Sequence, residues 1–493
     1  MFASSVCAHG ERTAVTDGTR SVAYTELDRR SSALACSLDA QGVSVGDRIG
    51  VLAHNCLEYV EIELAAAKLG AIVAALNWRL GPRELTHCIA LAAPKVMIVQ
   101  PHLTALLGQC DVDLTNVVTV GHAYEALMSN GAESRTLSEL DPEAGLMILY
   151  TSGTTGLPKG ALISHRALVA RAAAFYAELR LPHDCDFIAW APFFHMASTD
   201  HALATLMRGG TVHVVDGYQA DRICDLVERN TIGWLVLMPG MIEDFAEHCR
   251  KRCVSPKGIS VCGAMADLVP REHIAAITSV LNTPYLNSFG STETGLPPAT
   301  GLILPQDGAP TDLRKRQSCY CELRLVDPQD NDIPIGTPGE AALRGPTLFS
   351  GYWQANETNE REFRGGWFHM GDVLRRNDDG TLDYVDRVKY LIKSGGENIY
   401  PVEIEQVVLA DNRVEEAICV RRPDAKWGEV PVLFVVKRDE SLSAGDLTRL
   451  CEGNLSRYKR PKQVHFLEAD ELPRSTTGKI QRHRLEERLV QQG

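Results

Sequence analysis

The chain has 493 residues, 45% hydrophobic and 23% charged, the balance of an ordinary folded protein and enough length for about three domains. Its net charge of -13 excludes a general nucleic-acid or anionic-membrane surface, but not a local basic site for a phosphate-bearing ligand. The 14 cysteines are scattered without a Cys-x-x-Cys pair, so free thiols in a reducing cytosol are expected, and His248, Cys249 and Cys253 are not read as a metal site.

Residues 1–12 are short, mixed and polar, with no basic-then-apolar signal, and a cytoplasmic location is expected. From Tyr24 onward, helical and strand patterns alternate. Thr25 and Asp28 predict a capping box before a helix carrying Leu27, Leu34 and Leu38. Residues 48–53 read as a buried strand, 57–69 as a helix and 71–76 as a strand; Pro82 opens another helix and 95–100 another strand. The most apolar window, 60–76, is broken by Glu61, Glu63 and Lys68, so no integral membrane segment is expected. This is the rhythm of a parallel sheet covered on both faces.

The apolar run 146–150 predicts a buried strand that empties into a loop of three glycines, four hydroxyls and one lysine, residues 151–160. Glycines let backbone N–H groups approach an anion, hydroxyls add donors and Lys159 adds charge, which is the chemistry of a phosphate cradle. A plain strand-to-helix connection needs neither so many hydroxyls nor the lysine. The common P-loop is excluded because Gly160, not Ser or Thr, follows Lys159. Strands are then expected at 187–191, 211–215, 232–237 and 258–262, with helices between them. Near residue 300 the texture changes: 320–326 and 339–344 flank a turn-rich stretch and suggest a small antiparallel β-unit. After Arg387 come a Gly-Gly pair, a helix opened by Pro401, and strands at 413–420 and 430–436, an α+β pattern of domain size.

The string 149–164, Leu-Tyr-Thr-Ser-Gly-Thr-Thr-Gly-Leu-Pro-Lys-Gly-Ala-Leu-Ile-Ser, resembles the signature loop of the adenylate-forming superfamily, and further motifs strengthen the likeness. That superfamily comprises acyl-CoA synthetases, firefly-type luciferases and the adenylation domains of peptide synthetases. The resemblance implies an α/β fold: a large N-terminal domain, 1–386, of layered α/β sheets plus a small β-barrel-like unit, and a small mobile α+β C-terminal domain, 387–493. It also implies that a carboxylic acid and ATP yield an acyl-adenylate and pyrophosphate, and that the acyl group then passes to a thiol.

By the same resemblance, Thr151, Ser152, Gly153, Thr154, Thr155, Gly156 and Lys159 would cradle ATP, with Thr155 and Lys159 catalytic and Thr151 beside Mg2+. The run Asn287-Ser-Phe-Gly-Ser-Thr-Glu-Thr-Gly295 resembles the second nucleotide motif. There Ser288 and Gly290 would line the nucleotide, Phe289 would stack on adenine, Thr292 would contact the α-phosphate and Glu293 would ligate Mg2+. An aromatic face suits a purine, and magnesium wants a carboxylate beside phosphate oxygens. Gly263 and Ala264 resemble a segment whose backbone lies along adenine, with Cys262 in place of the first glycine. Asp372 and Arg387 would hold the ribose. Lys389 would be the domain pivot, and Lys393, Gly395 and Gly396 would lie along the pantetheine tunnel. Lys479, in Ser-Thr-Thr-Gly-Lys, resembles the lysine that neutralises charge as carboxylate attacks the α-phosphorus. Trp427, Tyr458 and Arg460 resemble residues that grip the nucleotide of CoA.

Pro192-Phe-Phe-His-Met196 resembles the acyl-CoA synthetase version of the substrate motif, with His195 as a carboxylate-side gate where amino-acid-activating relatives carry an aspartate. The acid pocket is expected between 196–200, 234–241 and 290–297, lined by Met196, Trp234, Met238, Gly290, Gly295 and Leu296. No Lys or Arg falls in those segments, which favours a fatty, cyclic or aromatic acid over a malonate-like diacid. Asp200 and His201 are expected to face solvent or else to meet a substrate hydroxyl. ATP, Mg2+ and CoA are the implied cofactors. A carrier protein is the alternative acceptor, a degenerate nucleotide-binding homologue is the non-catalytic alternative, and a homodimer stays open.

Overall fold

The computed structural model describes residues 1–129, 140–151, 157–299, 302–306, 308–395, 397–474 and 480–491. The chain divides into two compact units, Met1–Leu323 with Leu343–Phe368, and Arg324–Ala342 with His369–Gly493.

The first unit is built on two sheets. In the six-stranded sheet the order is Val117–Thr119, Val96–Val99, Arg48–Leu52, Ile72–Ala75, Gly145–Thr151 and Lys159–Ser164. Neighbours run parallel except the last pair, which forms an antiparallel hairpin around the glycine-rich loop. Strands Ile72–Ala75 and Val96–Val99 are buried at every position, which is why they read as unbroken apolar runs. The eight-stranded sheet is ordered Ile303–Leu304, Tyr285–Asn287, Gly258–Ala264, Thr231–Val236, Asp186–Ala189, Val212–Val214, Thr13–Thr16 and Ser21–Ala23, with antiparallel pairs only at its two edges.

Helix Leu57–Leu69 runs as expected and ends at Gly70, whose φ of 72° suits the left-handed position that closes a helix. The capping box expected at Thr25 and Asp28 does not form. The helix Tyr24–Ala40 starts one residue before Thr25 and has no side-chain cap. Instead the Thr25 hydroxyl donates to the Gly10 carbonyl at 3.0 Å, and the Asp28 carboxylate accepts from Lys68 Nζ at 2.6 Å. Tertiary partners outbid the local cap.

In the second unit, Phe368–Arg376 and Leu382–Arg387 pair antiparallel within a four-stranded sheet that also holds Glu322–Val326 and Pro338–Arg344. A five-stranded sheet follows, centred on Gly428–Lys437 and joined by Val414–Asp424, Ile392–Ser394, Glu397–Ile399 and Gln463–Leu467. Helices Pro401–Leu409 and Ala444–Asn454 supply Ile404, Val408, Leu447 and Cys451 to one apolar cluster with this sheet, and helix Arg482–Gln491 supplies Leu485 and Leu489 to another. Among the described residues, no helix is long and apolar enough to cross a membrane, and no group of His, Cys, Asp and Glu could hold a metal ion by itself. His248 pairs with Asp221 instead of a cysteine, and Cys249 lies 3.7 Å from Cys224 in sulfur-to-sulfur distance.

Candidate active site

The hairpin Gly145–Thr151 and Lys159–Ser164 sets Thr151 opposite Lys159 at the rim of the glycine-rich loop. Ser152, Gly153, Thr154, Thr155 and Gly156 lie outside the described residues, as do Gly396 and Lys479. Lys159 is half-buried, and burial pulls its ammonium below the usual lysine range, with the Glu362 carboxylate opposing that. Its Nζ sits 5.0 Å from the ring centre of Tyr352, a cation over an aromatic face. The Tyr352 hydroxyl donates to Glu293 Oε1 at 2.8 Å. Tyr352 is itself fixed by an antiparallel bridge to Ala161 and by Asn359, which accepts from Tyr352 N at 2.7 Å and donates to its carbonyl at 2.8 Å. One aromatic ring therefore ties the lysine that follows the glycine-rich loop to the carboxylate of the run 287–295. No motif singles out Tyr352; only its place in the fold does.

The loop 290–295 is closed on itself. Ser291 N donates to Thr294 Oγ1 at 2.9 Å and to the Gly295 carbonyl at 3.2 Å. A Cβ on Gly290 would come 1.9 Å from that carbonyl oxygen, so only glycine fits there. Among the described residues no cation pairs with Glu293, whose carboxylate is held only through Tyr352. That is a donor set suited to Mg2+: a hard, oriented carboxylate with coordination to spare.

On the expected adenine side, Gly263 runs so close to its neighbouring strand that a Cβ would meet the Leu286 carbonyl at 2.3 Å. Ala264 N donates to the Tyr285 hydroxyl at 3.0 Å, and Ser288 N donates to the Ala264 carbonyl at 3.2 Å. Phe289 is buried, with Lys315 Nζ 6.0 Å from its ring centre. Lys315 is itself buried and ion-paired with Asp267, a pair that sequence reading missed.

On the expected acid side, His195 caps helix Met196–Leu206, its Nδ1 accepting from Ala197 N at 3.2 Å. The expectation that Asp200 and His201 face solvent is wrong: both are buried. That helix is inside on all faces, so its polar residues needed internal partners. Asp200 Oδ2 accepts from Arg171 Nη1 at 3.1 Å, while its Oδ1 has no partner. Burial pushes the Asp200 carboxyl up and the Arg171 guanidinium opposes that. Breaking such a buried pair costs about 3–5 kcal/mol, so Asp200 is tied to Arg171 before it is available to anything else. His201 is driven down to about 3 by burial and stays neutral. It packs at 4.7 Å from Phe175, 5.6 Å from Phe187 and 6.1 Å from Trp234, ring centre to ring centre. Met196 and Trp234 are buried, Trp234 with Nε1 unpartnered, whereas Met238 is exposed and Leu296 half-buried. A polar cleft of about 240 Å³ lined by Arg12, Asp184, Asp186 and Lys257 contains none of the motif residues.

In the second unit Asp372 and Arg387 face each other across paired strands, Arg387 Nε donating to Asp372 Oδ1 at 2.8 Å. Both proposed ribose residues are thus held in one ion pair, which keeps the Arg387 guanidinium firmly charged. Lys389 occupies the short turn Val388–Tyr390, its Nζ 4.9 Å over Tyr390. Lys393 lies exposed on strand Ile392–Ser394, its N–H donating to Glu429 Oε2 at 2.8 Å. Gly395, at φ 60°, donates from its N–H to the Trp427 carbonyl at 2.7 Å, and a Cβ there would meet the Trp427 ring at 2.8 Å. Trp427 and Tyr458 are 44% and 40% exposed, with Lys426 Nζ 4.9 Å and Lys459 Nζ 5.7 Å from their ring centres. The Arg460 guanidinium donates to the carbonyls of Leu455 and Glu452 at 3.1 and 3.0 Å, so its orientation is set locally.

Residues 2–353 match the family described as AMP-binding enzyme, and residues 403–479 match the AMP-binding enzyme C-terminal domain. An indoleacetate–CoA ligase of Aromatoleum aromaticum is 32% identical over 483 residues, covering 96% of this chain and 94% of that one. A feruloyl-CoA synthase of an Amycolatopsis species is 33% identical over 484 residues, covering 95% and 94%. Among solved structures, the o-succinylbenzoate CoA synthetase of Bacillus subtilis with its acyl-adenylate intermediate superposes with a TM-score of 0.83 at 25% identity, covering 98% and 97%.

Proposed function

The chain belongs to the AMP-binding enzyme family, and on that premise we propose that it is an ATP-dependent, AMP-forming acyl-CoA ligase for an apolar carboxylic acid. The observation that carries the reading is the Lys159–Tyr352–Glu293 arrangement at the mouth of the glycine-rich hairpin. It brings a cation and a carboxylate onto one aromatic ring, which supports the reading because a nucleotide phosphate chain and its metal would call on both charges. A carboxylate oxygen of the acid attacks the α-phosphorus of ATP and the bond to pyrophosphate breaks. The thiolate of CoA then attacks the acyl carbon of the adenylate, and AMP leaves. Positioning and fixed charge supply most of the rate in the first step. Lys159 and Lys479 meet developing negative charge, and His195 stands at the carboxylate side. Glu293 and Thr151 would hold Mg2+, which neutralises charge on the phosphates when bound.

Relatives named for indoleacetate and ferulate support an aryl or extended apolar acid, as do Met196 and Trp234 on the acid side. CoA is favoured over a carrier protein because the aligned relatives are CoA ligases, and the partly exposed rings of Trp427 and Tyr458, each beside a lysine, suit an anionic nucleotide. The C-terminal domain, from residue 387, would pivot at Lys389 between the two half-reactions. ATP–pyrophosphate exchange across a panel of aryl, aliphatic, dicarboxylic and amino acids tests the reading. Exchange led by an aryl or aliphatic acid supports it; malonate as the best acid, or no exchange with any acid, rejects it.

A further inference from the structure

Helix His165–Leu179 follows directly from the phosphate-loop hairpin, and Arg171 in its middle is only 3% exposed. A buried guanidinium needs a carboxylate and acceptors for its remaining N–H groups. Asp200 supplies the charge at 3.1 Å. The other bonds do not go to the core at large. Nη2 donates to the backbone carbonyls of both Thr292 and Glu293 at 3.1 Å, and Nε donates to the Thr347 carbonyl at 2.8 Å. Glu293 O also accepts from Phe349 N at 2.8 Å, so its peptide unit is fixed from two sides. The side chain runs flush beneath the same loop: a Cβ on Gly295 would come 2.7 Å from Arg171 Cδ. An ion pair serving only the core would not need two successive loop carbonyls as acceptors.

We propose that Arg171 is a positioning residue that aims the Glu293 carboxylate and couples it, through Asp200, to the helix behind the acid site. This rests on the proposed function, in which Glu293 holds the nucleotide's metal. Fixing the peptide planes of residues 292 and 293 fixes the direction in which both side chains leave the loop. Lysine cannot replace the fork, because one ammonium cannot reach Asp200 and both carbonyls in that planar geometry.

The test is calorimetric titration of ATP into the full-length enzyme without acid, with and without Mg2+. The readout is the factor by which Mg2+ tightens ATP binding. Arg171→Lys is expected to reduce that factor about tenfold, the usual effect of losing an outer-shell partner of a metal ligand. ATP affinity without Mg2+ is expected to fall by less than the Mg2+ factor does, because there only the Thr292 contact is disturbed. The double variant R171Q/D200N leaves no unpaired charge buried, and is expected to lose the Mg2+ factor likewise, with circular dichroism confirming the fold. A wild-type Mg2+ factor in either folded variant overturns the inference while leaving the proposed function intact. Failure of the wild-type enzyme to bind ATP overturns both.

Discussion

At the scale of residues, Tyr352 has a role that can be isolated. Its hydroxyl holds Glu293 Oε1, while its ring stays under Lys159 in either Tyr or Phe. Tyr352→Phe therefore removes one hydrogen bond to a carboxylate, worth about 1.5–3 kcal/mol, and keeps the cation–ring contact. Pyrophosphate exchange is expected to fall roughly tenfold or more on that energy scale, with a raised Mg2+ requirement and little change in melting temperature. An unchanged Mg2+ requirement would remove Tyr352 from the site. Arg171, Tyr352 and Lys315 share one reason for escaping sequence analysis. Each is an isolated residue whose partners lie far along the chain: Asp200, Glu293 and Asp267. The run 287–295 stands out in the sequence because its contacts are local: Gly290, Ser291, Thr294 and Gly295 lie chiefly against one another.

At the scale of elements, helix Leu57–Leu69 was readable in its bounds but not in its environment. Its Glu61 and Glu63 broke the apolar window, yet both are buried. Glu61 has Arg30 at 2.6 Å. Among the described residues Glu63 is bonded only by the Thr199 hydroxyl, with its Oε2 unpartnered. Burial pushes Glu63 up to about 8; the Thr199 hydroxyl opposes this and the Asp200 charge adds to it. A raised folded-state value means the fold retains this proton more tightly than the unfolded chain. The corresponding stability is fully present below the unfolded value near 4.5 and is lost as pH rises through about 8. Glu63→Gln keeps the acceptor for Thr199 and removes the titration. Urea midpoints at pH 5 and pH 8 are expected to differ less in the variant than in the wild type, with the gain at pH 8. An equal pH slope in both would place the sensitivity elsewhere. The helix Tyr24–Ala40 teaches the complementary lesson: a local cap signal lost because Gly10 and Lys68 offered Thr25 and Asp28 better partners.

At the scale of the whole molecule, the α/β class and the order of motifs were legible because each strand–helix repeat writes its own pattern. The burial of Asp200 and His201 was not, because it depends on what packs over a helix that is covered on every side. The proposed alternation of the C-terminal domain places its pivot at Lys389, in the turn Val388–Tyr390. Proline fixes φ and removes an N–H, so Lys389→Pro is expected to keep acyl-adenylate formation and to lose most transfer to CoA. Wild-type thioester formation by a folded variant would remove the pivot from that position.

The central claim, that one chain joins an apolar acid to CoA at the expense of ATP cleaved to AMP, is tested most directly by product stoichiometry. Purified protein is given ATP, Mg2+, CoA and the acid that leads the exchange panel, and acyl-CoA, AMP and pyrophosphate are quantified together. The account predicts that all three accumulate in equal amounts and that none forms without the acid. ADP and phosphate in place of AMP and pyrophosphate, or adenylate accumulating with no thioester in the presence of CoA, would contradict it.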